Sequence, residues 1–189
     1  MAQSFPMGMD HSGMPSTPYG GFMTTTVNPP APVLAHEHAP RMNLAEQAPE
    51  FYRAMLRLEQ EAAKGVDPAL YHLIKIRASQ INHCAFCLDM HTKDALAEGE
   101  TVERVVQLAA WQESRHFYTE RELAAIALTE AVTVLTDGFV PDEAYAAAAE
   151  HFEEAELARV IAAIIVINSW NRIAVTTRMV PGHYTPRSR

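Results

Sequence analysis

The chain has 189 residues and a formal net charge of −8, from 15 Lys and Arg against 23 Asp and Glu. This length suggests one domain with room for a tail. The negative net charge argues against nucleic acid or an anionic membrane surface as a partner, because binding phosphate groups requires clustered Lys and Arg. The chain has only two cysteines, too few for the multi-bridge framework of a small secreted protein.

The composition changes near residue 43. Residues 1–40 hold seven of the 12 prolines and five of the nine methionines, and they contain no Lys or Arg. Such a segment buries too little apolar surface to offset its ordering entropy. We therefore predict a disordered arm over residues 1–43, a helical domain over residues 44–180 and a short tail over residues 181–189.

The sequence also bears on the cellular compartment. No positively charged segment followed by an apolar run indicates a signal peptide. The longest strongly apolar stretch, residues 160–167, is far shorter than the ~20 residues that span a bilayer. We expect a soluble, cytoplasmic protein without a membrane partner.

The arm contains a small cluster of thioether and imidazole side chains, Met7, Met9, His11 and Met14. Such groups can hold Cu(I). Flexible linkers also accumulate Met and His by chance, so the role of the arm stays open at this point.

From about Leu44 the chain is rich in Ala, Leu, Glu and Arg, which predicts successive helices and no strands. Start signals include Asp67 before Pro68 and the capping box that begins at Thr119, and Gly65 and Gly99 mark ends. The result is an all-α bundle of six to seven helices. The predicted helices run from about Pro49 to Lys64, from Pro68 through Ile81, from near Cys84 to before Gly99, from Val102 to Trp111, from Thr119 to Leu135, from Asp142 to His151 and from Glu153 to Val175.

Both cysteines fall in the unit Cys84-Ala85-Phe86-Cys87, and His91 follows four residues later. On a helix, residues three and four apart are neighbours, so Cys84, Cys87 and His91 line one face at the start of a helix. The unpaired N–H groups of a helix N-terminus favour thiolate over thiol. His91 can act as a base or as an imidazolium partner, and two vicinal thiols can close a disulfide.

The Cys-x-x-Cys unit has three other interpretations. The cysteines could be a buried structural pair. They could also bind zinc together with His91 and with His83 or His72, although no second pair of ligands follows downstream. A thioredoxin-like site fails because its Cys-x-x-Cys needs a βαβ setting.

The run from Leu73 to His91 resembles the active-site helices of the AhpD-like alkylhydroperoxidases in the carboxymuconolactone decarboxylase superfamily. The resemblance continues through residues 117–122 and 167–172 and covers about residues 44–179. It implies an AhpD-like helical fold, a homo-oligomer, typically a trimer or hexamer, and thiol peroxidase or disulfide reductase activity.

The resemblance also implies roles for the site residues. The second cysteine, Cys87, attacks the peroxide, and the first, Cys84, resolves the sulfenic acid as a disulfide and meets an external thiol reductant, either a dithiol or a thioredoxin-like donor. His91 belongs to a proton relay, and the redox-active Cys84–Cys87 disulfide takes the place of any bound cofactor. Decarboxylases of the superfamily lack this Cys-x-x-Cys unit, so its presence favours redox chemistry over a lyase reaction.

The chain departs from the family at two positions. The AhpD relay has a glutamate twelve residues before the first cysteine, where this chain has His72, and the family usually has a small residue where His83 stands. A carboxylate raises the basicity of a hydrogen-bonded histidine more than a neutral imidazole does. His72 is therefore a candidate base or partner of His91 in an altered relay, or else a polar residue on a partly buried helix face, and His83 is expected to face solvent.

Several other residues are predicted to be structural. Glu130 lies in an apolar helix and should be paired, with Arg77 or Arg172 as its partner. Trp111 and Trp170 are expected to anchor the core or a subunit interface.

Two functions from different classes remain. The first is a thiol peroxidase that reduces hydrogen peroxide or an organic hydroperoxide through a dithiol–disulfide cycle. The second is a non-enzymatic oligomer that senses redox state or binds a metal.

Overall fold

The computed structural model describes residues 36–186. The predicted disorder falls mainly on residues 1–35, and the proposed Cu(I) cluster falls within them, so both predictions lie outside the described residues. Residues 36–43 have no helix, and the backbone N–H of Arg41 donates to the Thr177 carbonyl at 2.8 Å.

Residues 36–186 contain eight α-helices and no strand, which confirms the all-α prediction. Seven of the helices correspond to the seven predicted ones, and a one-turn helix at Leu44 is additional. In chain order they are α1 (Leu44–Gln47), α2 (Pro49–Ala62), α3 (Pro68–Ile81), α4 (Ala85–Ala97), α5 (Val102–Gln107), α6 (Glu120–Thr133), α7 (Asp142–Ala149) and α8 (Glu154–Thr177).

The local start signals act as the sequence predicts. The Asp67 carboxylate accepts from the Leu70 N–H at 3.0 Å and caps α3. Thr119 and Glu122 form the capping box of α6. Gly65 has a positive φ of 73° after α2, a conformation that glycine adopts without strain.

One predicted helix is shorter than expected. The helix that begins at Val102 ends as an α-helix at Gln107 and continues to Ala110 only as a 3₁₀ turn. The Ser114 hydroxyl donates to the carbonyls of Gln107 and Ala110 at 3.3 and 3.1 Å. These side-chain bonds satisfy the last carbonyls, so the chain turns there instead of extending the helix.

Helix α3 is the centre of the bundle, because it packs against α4, α6 and α8. Its buried residues occupy most of its circumference and include the charged Lys75. A helix with this pattern is a core element, so it holds its neighbours α4 and α8 in fixed positions. The residues of α3 buried in this way are Leu70, Leu73, Ile74, Lys75, Ile76, Ala78 and Ser79.

Among the described helices, α8 is long and apolar enough to cross a membrane by length and composition, with a mean hydropathy of 1.4. Half of its most apolar 18-residue window is buried inside the fold. Leu157, Val160 and Ile164 of α8 pack in one apolar cluster with Leu70 and Leu128. These contacts are those of a core helix in a soluble helical domain.

The turn between α3 and α4 places an exposed histidine in a strained backbone conformation. His83 has a φ of 52°, in the left-handed region. The next residue, Cys84, donates its backbone N–H to the Ser79 carbonyl at 2.9 Å, which fixes the turn. Non-glycine residues pay an energetic cost in this region.

Replacing His83 with glycine should therefore stabilise the fold. We expect His83→Gly to raise the free energy of unfolding by about 0.5–1 kcal/mol, the left-handed strain less the extra unfolded-state entropy of glycine. Urea unfolding at fixed protein concentration measures the change. His83→Ala is the matched control, because alanine keeps the strain and should give no gain. Equal gains for both variants would contradict the backbone explanation.

Candidate active site

The two cysteines lie at the start of α4 and are both buried, with 1% of Cys84 and 2% of Cys87 exposed. Cys84 is the N-cap residue, and its Sγ accepts from the Cys87 backbone N–H at 3.4 Å. The predicted arrangement of a dithiol at a helix N-terminus is therefore present.

A buried polar network lies beside the thiols. Asn171 of α8 donates to the Ser79 hydroxyl at 3.0 Å and accepts from the Asn82 amide at 2.9 Å. Asn82 also donates to Asn168 at 2.9 Å. Asn171 favours the thiolate form of each cysteine, lowering the pKa of Cys84 and opposing the rise in the pKa of Cys87, so the network links α8 to the thiols.

The two thiols differ in their tendency to ionise. A hydrogen bond from the Cys87 thiol lowers the pKa of Cys84, aided by the Cys87 backbone N–H and by Asn171. The same thiol–thiol bond, together with burial, raises the pKa of Cys87. The first negative charge on the pair therefore resides on Cys84, and ionisation of Cys87 requires a base.

His91 is the base nearest in sequence on the same helix. Burial holds the pKa of His91 well below its ordinary value, and the Lys75 ammonium and the neighbouring His72 lower it further. The ring is therefore neutral at physiological pH, which is the form that can accept a proton. Its Nδ1 atom is buried without a hydrogen-bond partner among the described residues.

His72 lies on α3 with its ring centroid 6.4 Å from that of His91. Its side chain is 12% exposed, and its Nε2 lies 3.3 Å from Glu98 Oε2. The structure thus brings all four predicted site residues, Cys84, Cys87, His91 and His72, into one region. Glu98, which the sequence analysis did not single out, joins them.

A second residue that the sequence analysis missed is Lys75, one turn after His72 and almost fully buried. Its ammonium group pairs with the Glu59 carboxylate of α2 and lies 4.1 Å from the centroid of the Tyr71 ring. Glu59 also accepts from the Tyr71 hydroxyl at 2.9 Å and from the Trp170 indole at 3.0 Å. A lysine inside the apolar run 73–76 is the signal that could have indicated a buried ion pair.

A cavity of about 450 Å³ contains Cys87 and His91 in its wall. Most of the remaining lining is apolar or aromatic, and Glu59 and Asp94 are its carboxylates. Such a mixture of apolar walls and few polar groups is typical of small-molecule sites. The other lining residues are Tyr52, Leu56, Phe86, Met90, Trp170, Ala174, Met179 and Tyr184.

The segment after α8 closes one side of this cavity. The Tyr184 hydroxyl donates to Asp94 at 2.7 Å, and the Gly182 N–H donates to Asp89 at 2.9 Å. Residues 182–184, which the sequence analysis assigned to a tail, are thus attached to α4 and contribute to the site.

Cys84 lies at a different opening. A depression of about 160 Å³ is lined by Cys84 and by His38, His83 and Arg178. Cys87 does not line this depression, and Cys84 does not line the larger cavity. The two cysteines therefore line two separate depressions.

The remaining predictions concern paired and aromatic residues. Arg77 donates to Glu130 at 2.7 Å, which confirms Arg77 as its partner, and Trp111 donates to the same oxygen at 2.6 Å. Arg172 instead donates to the Asn168 carbonyl at 2.9 Å. Trp111 is a core residue as expected. Within residues 36–186, no group of three or more His, Cys, Asp or Glu side chains is placed to hold a metal ion.

Comparison with known proteins gives consistent matches. The sequence model of the carboxymuconolactone decarboxylase family matches residues 49–131. The uncharacterized protein YdfG of Bacillus subtilis is 42% identical over 136 residues, which cover 71% of this chain and 92% of that protein.

Solved structures are similar over the same part of the chain. A protein of unknown function from Agrobacterium tumefaciens, suggested to be an antioxidant defence protein AhpD, is 37% identical with a TM-score of 0.74. The match covers 77% of this chain and all of that one. An uncharacterized peroxidase-related protein from Ralstonia eutropha, described as an alkylhydroperoxidase AhpD core, has a TM-score of 0.64. It is 19% identical, with 74% of each chain covered, and shows the fold alone.

Proposed function

Because the chain is an AhpD-like member of the carboxymuconolactone decarboxylase family, we propose that it is a thiol-dependent peroxidase that reduces hydroperoxides. The observation that carries the proposal is the placement of Cys87 and His91 in one largely apolar cavity, with Cys84 one helical turn away. This arrangement provides a nucleophile, a base and a resolving thiol.

The proposed cycle begins at Cys87. His91 takes the thiol proton, and the thiolate attacks the terminal oxygen of the hydroperoxide, so that an S–O bond forms and the O–O bond breaks. The departing alkoxide takes the proton back and leaves as an alcohol, while Cys87 becomes a sulfenic acid.

Cys84 completes the cycle. Its sulfur attacks the sulfenic sulfur, an S–S bond forms, and the hydroxide that leaves takes a proton to become water. The Cys87 backbone N–H and Asn171, which favour the thiolate of Cys84, are still present after Cys87 is oxidised and support this role, since the thiolate is the attacking form. An external dithiol or thioredoxin-like donor then reduces the Cys84–Cys87 disulfide through the separate opening at Cys84, and no bound cofactor takes part.

The proposal includes a homo-oligomer, a trimer or hexamer, in the cytoplasm. Large apolar side chains are exposed on α2 and α8, namely Phe51, Leu56, Leu58, Ile165 and Val175. A subunit interface would cover such residues. A reducing compartment would keep the dithiol in the form that reacts with peroxide.

Steady-state peroxide consumption with dithiothreitol or a dihydrolipoyl donor tests this function. We expect turnover of wild-type protein with hydrogen peroxide or an organic hydroperoxide, and none above the uncatalysed rate for Cys87→Ser. Serine is nearly isosteric, so the fold should be retained, and circular dichroism checks this. Equal rates for wild type and Cys87→Ser would reject the peroxidase function.

A further inference from the structure

We propose that Glu98, His72 and His91 form a proton relay for the Cys87 thiol, in which Glu98 is a positioning residue and one water connects the two imidazole rings. The inference rests on the proposed function, because it names the groups that would support its base. It assigns a role to Glu98, a carboxylate at the end of α4.

The first step is the orientation of His72. A carboxylate can only accept hydrogen bonds, so His72 Nε2 must carry the proton that Glu98 Oε2 accepts at 3.3 Å. In a neutral imidazole the other nitrogen, Nδ1, is then an acceptor. Glu98 thereby fixes both the tautomer and the direction of the His72 ring.

The second step concerns two buried nitrogen atoms. Nδ1 of His72 and Nδ1 of His91 are both buried and have no hydrogen-bond partner among the described residues. Buried polar atoms without partners are costly and rare. A centroid separation of 6.4 Å is too long for a direct bond between the rings and suits one bridging water.

The third step is the charge that His91 acquires. Cys87 and Lys75 are near the ring together with His72, and the Lys75 ammonium opposes protonation. Among the carboxylates, Glu59 is paired with Lys75 and Asp94 accepts from Tyr184. Glu98 is the carboxylate that bonds His72, so it can stabilise a positive charge shared by the two rings.

Exposure increases along the proposed relay. His91 is 5% exposed, the His72 side chain 12% and the Glu98 side chain 31%. The carboxylate is therefore open to solvent, while the base works in a buried site. The proton that His91 takes from Cys87 returns to the alkoxide, so the relay stabilises the intermediate imidazolium without a net loss of protons.

The test measures alkylation of Cys87 by iodoacetamide in the full chain carrying Cys84→Ser, so that a single thiol reacts. Glu98→Gln keeps the shape and a hydrogen-bond acceptor but removes the charge, and we expect the rate at pH 7 to fall about tenfold. His72→Gln should cause a similar fall. Because the residues act in series, the double variant should be no slower than His72→Gln alone.

A second readout separates positioning from a general structural effect. In Glu98→Gln the titration of His91, followed by nuclear magnetic resonance of the ring nitrogens, should move to lower pH. Glu113→Gln, an exposed carboxylate elsewhere, is the control and should change neither the rate nor the titration.

Additive losses in the double variant, or an unchanged rate and titration in Glu98→Gln, would overturn the relay. Alkylation requires no peroxide, so these results are independent of the peroxidase assay. If the losses in the double variant are not additive but wild-type protein does not turn over peroxide, the relay is supported and the proposed peroxidase function is rejected.

Discussion

Glu59→Gln should destabilise the protein by about 3 kcal/mol at pH 7, because breaking a buried ion pair leaves an uncompensated charge. The charge left behind is the ammonium of Lys75, which is 1% exposed. Glu59 also accepts hydrogen bonds from Tyr71 and Trp170, so its carboxylate connects α2 with α3 and α8 at the cavity wall.

The loss of stability in Glu59→Gln should depend on pH through the protonation of Lys75. Burial lowers the pKa of Lys75 below its ordinary value, and Glu59 opposes that shift. At a pH between the pKa of Lys75 in the folded state and its pKa in the unfolded state, the unfolded state binds more protons. The free energy of unfolding therefore rises with pH in this range. Removing Glu59 lowers the pKa of Lys75 in the folded state further. The difference in free energy of unfolding between Glu59→Gln and wild type should therefore narrow as the pH rises from neutral towards the ordinary lysine pKa.

Urea unfolding at fixed protein concentration measures these differences. The matched control is Glu61→Gln, whose partner Lys64 is on the surface, and we expect a change below about 0.5 kcal/mol there. Adding Lys75→Met to Glu59→Gln removes the unpaired charge and should recover most of the lost stability. A small effect of Glu59→Gln, or no recovery in the double variant, would contradict the assignment of Lys75 as a buried cation.

Local sequence signals predicted the helices well because their causes are local. Asp67 before Pro68 and the box from Thr119 to Glu122 act within one turn, and both caps form. The helix from Val102 was predicted too long, since it ends through Ser114, which acts on carbonyls four and seven residues earlier. Spacing alone does not reveal such a side-chain bond.

In the active site, too, contacts between residues close in sequence were predictable and contacts between distant residues were not. Cys84 caps α4, and Cys87 and His91 lie one turn apart on that helix, so spacing along one element places them together. Glu98 and His72 are 26 residues apart and Glu59 and Lys75 are 16 apart, on different helices. Their pairing depends on how α2, α3 and α4 pack, which periodicity does not determine.

Cys84→Ser should stop the catalytic cycle after the first oxidation. Cys87 remains in the cavity with His91, so one equivalent of peroxide per subunit is consumed and a sulfenic acid accumulates. Steady-state turnover with dithiothreitol should fall at least about 100-fold, because an external thiol must replace an intramolecular attack of high effective concentration.

Stopped-flow peroxide consumption combined with dimedone labelling measures this result. Cys84→Ser should give a single burst and a dimedone adduct at Cys87, whereas wild type should give rapid turnover and little adduct. Cys87→Ser is the control and should give neither burst nor adduct. In wild type, the rate of disulfide formation should decrease as the pH falls through the lowered pKa of Cys84, since protonation removes the attacking thiolate. Full steady-state activity of Cys84→Ser would contradict the resolving role of Cys84. A dimedone adduct on Cys84 in Cys87→Ser would reverse the assigned roles of the two sulfurs.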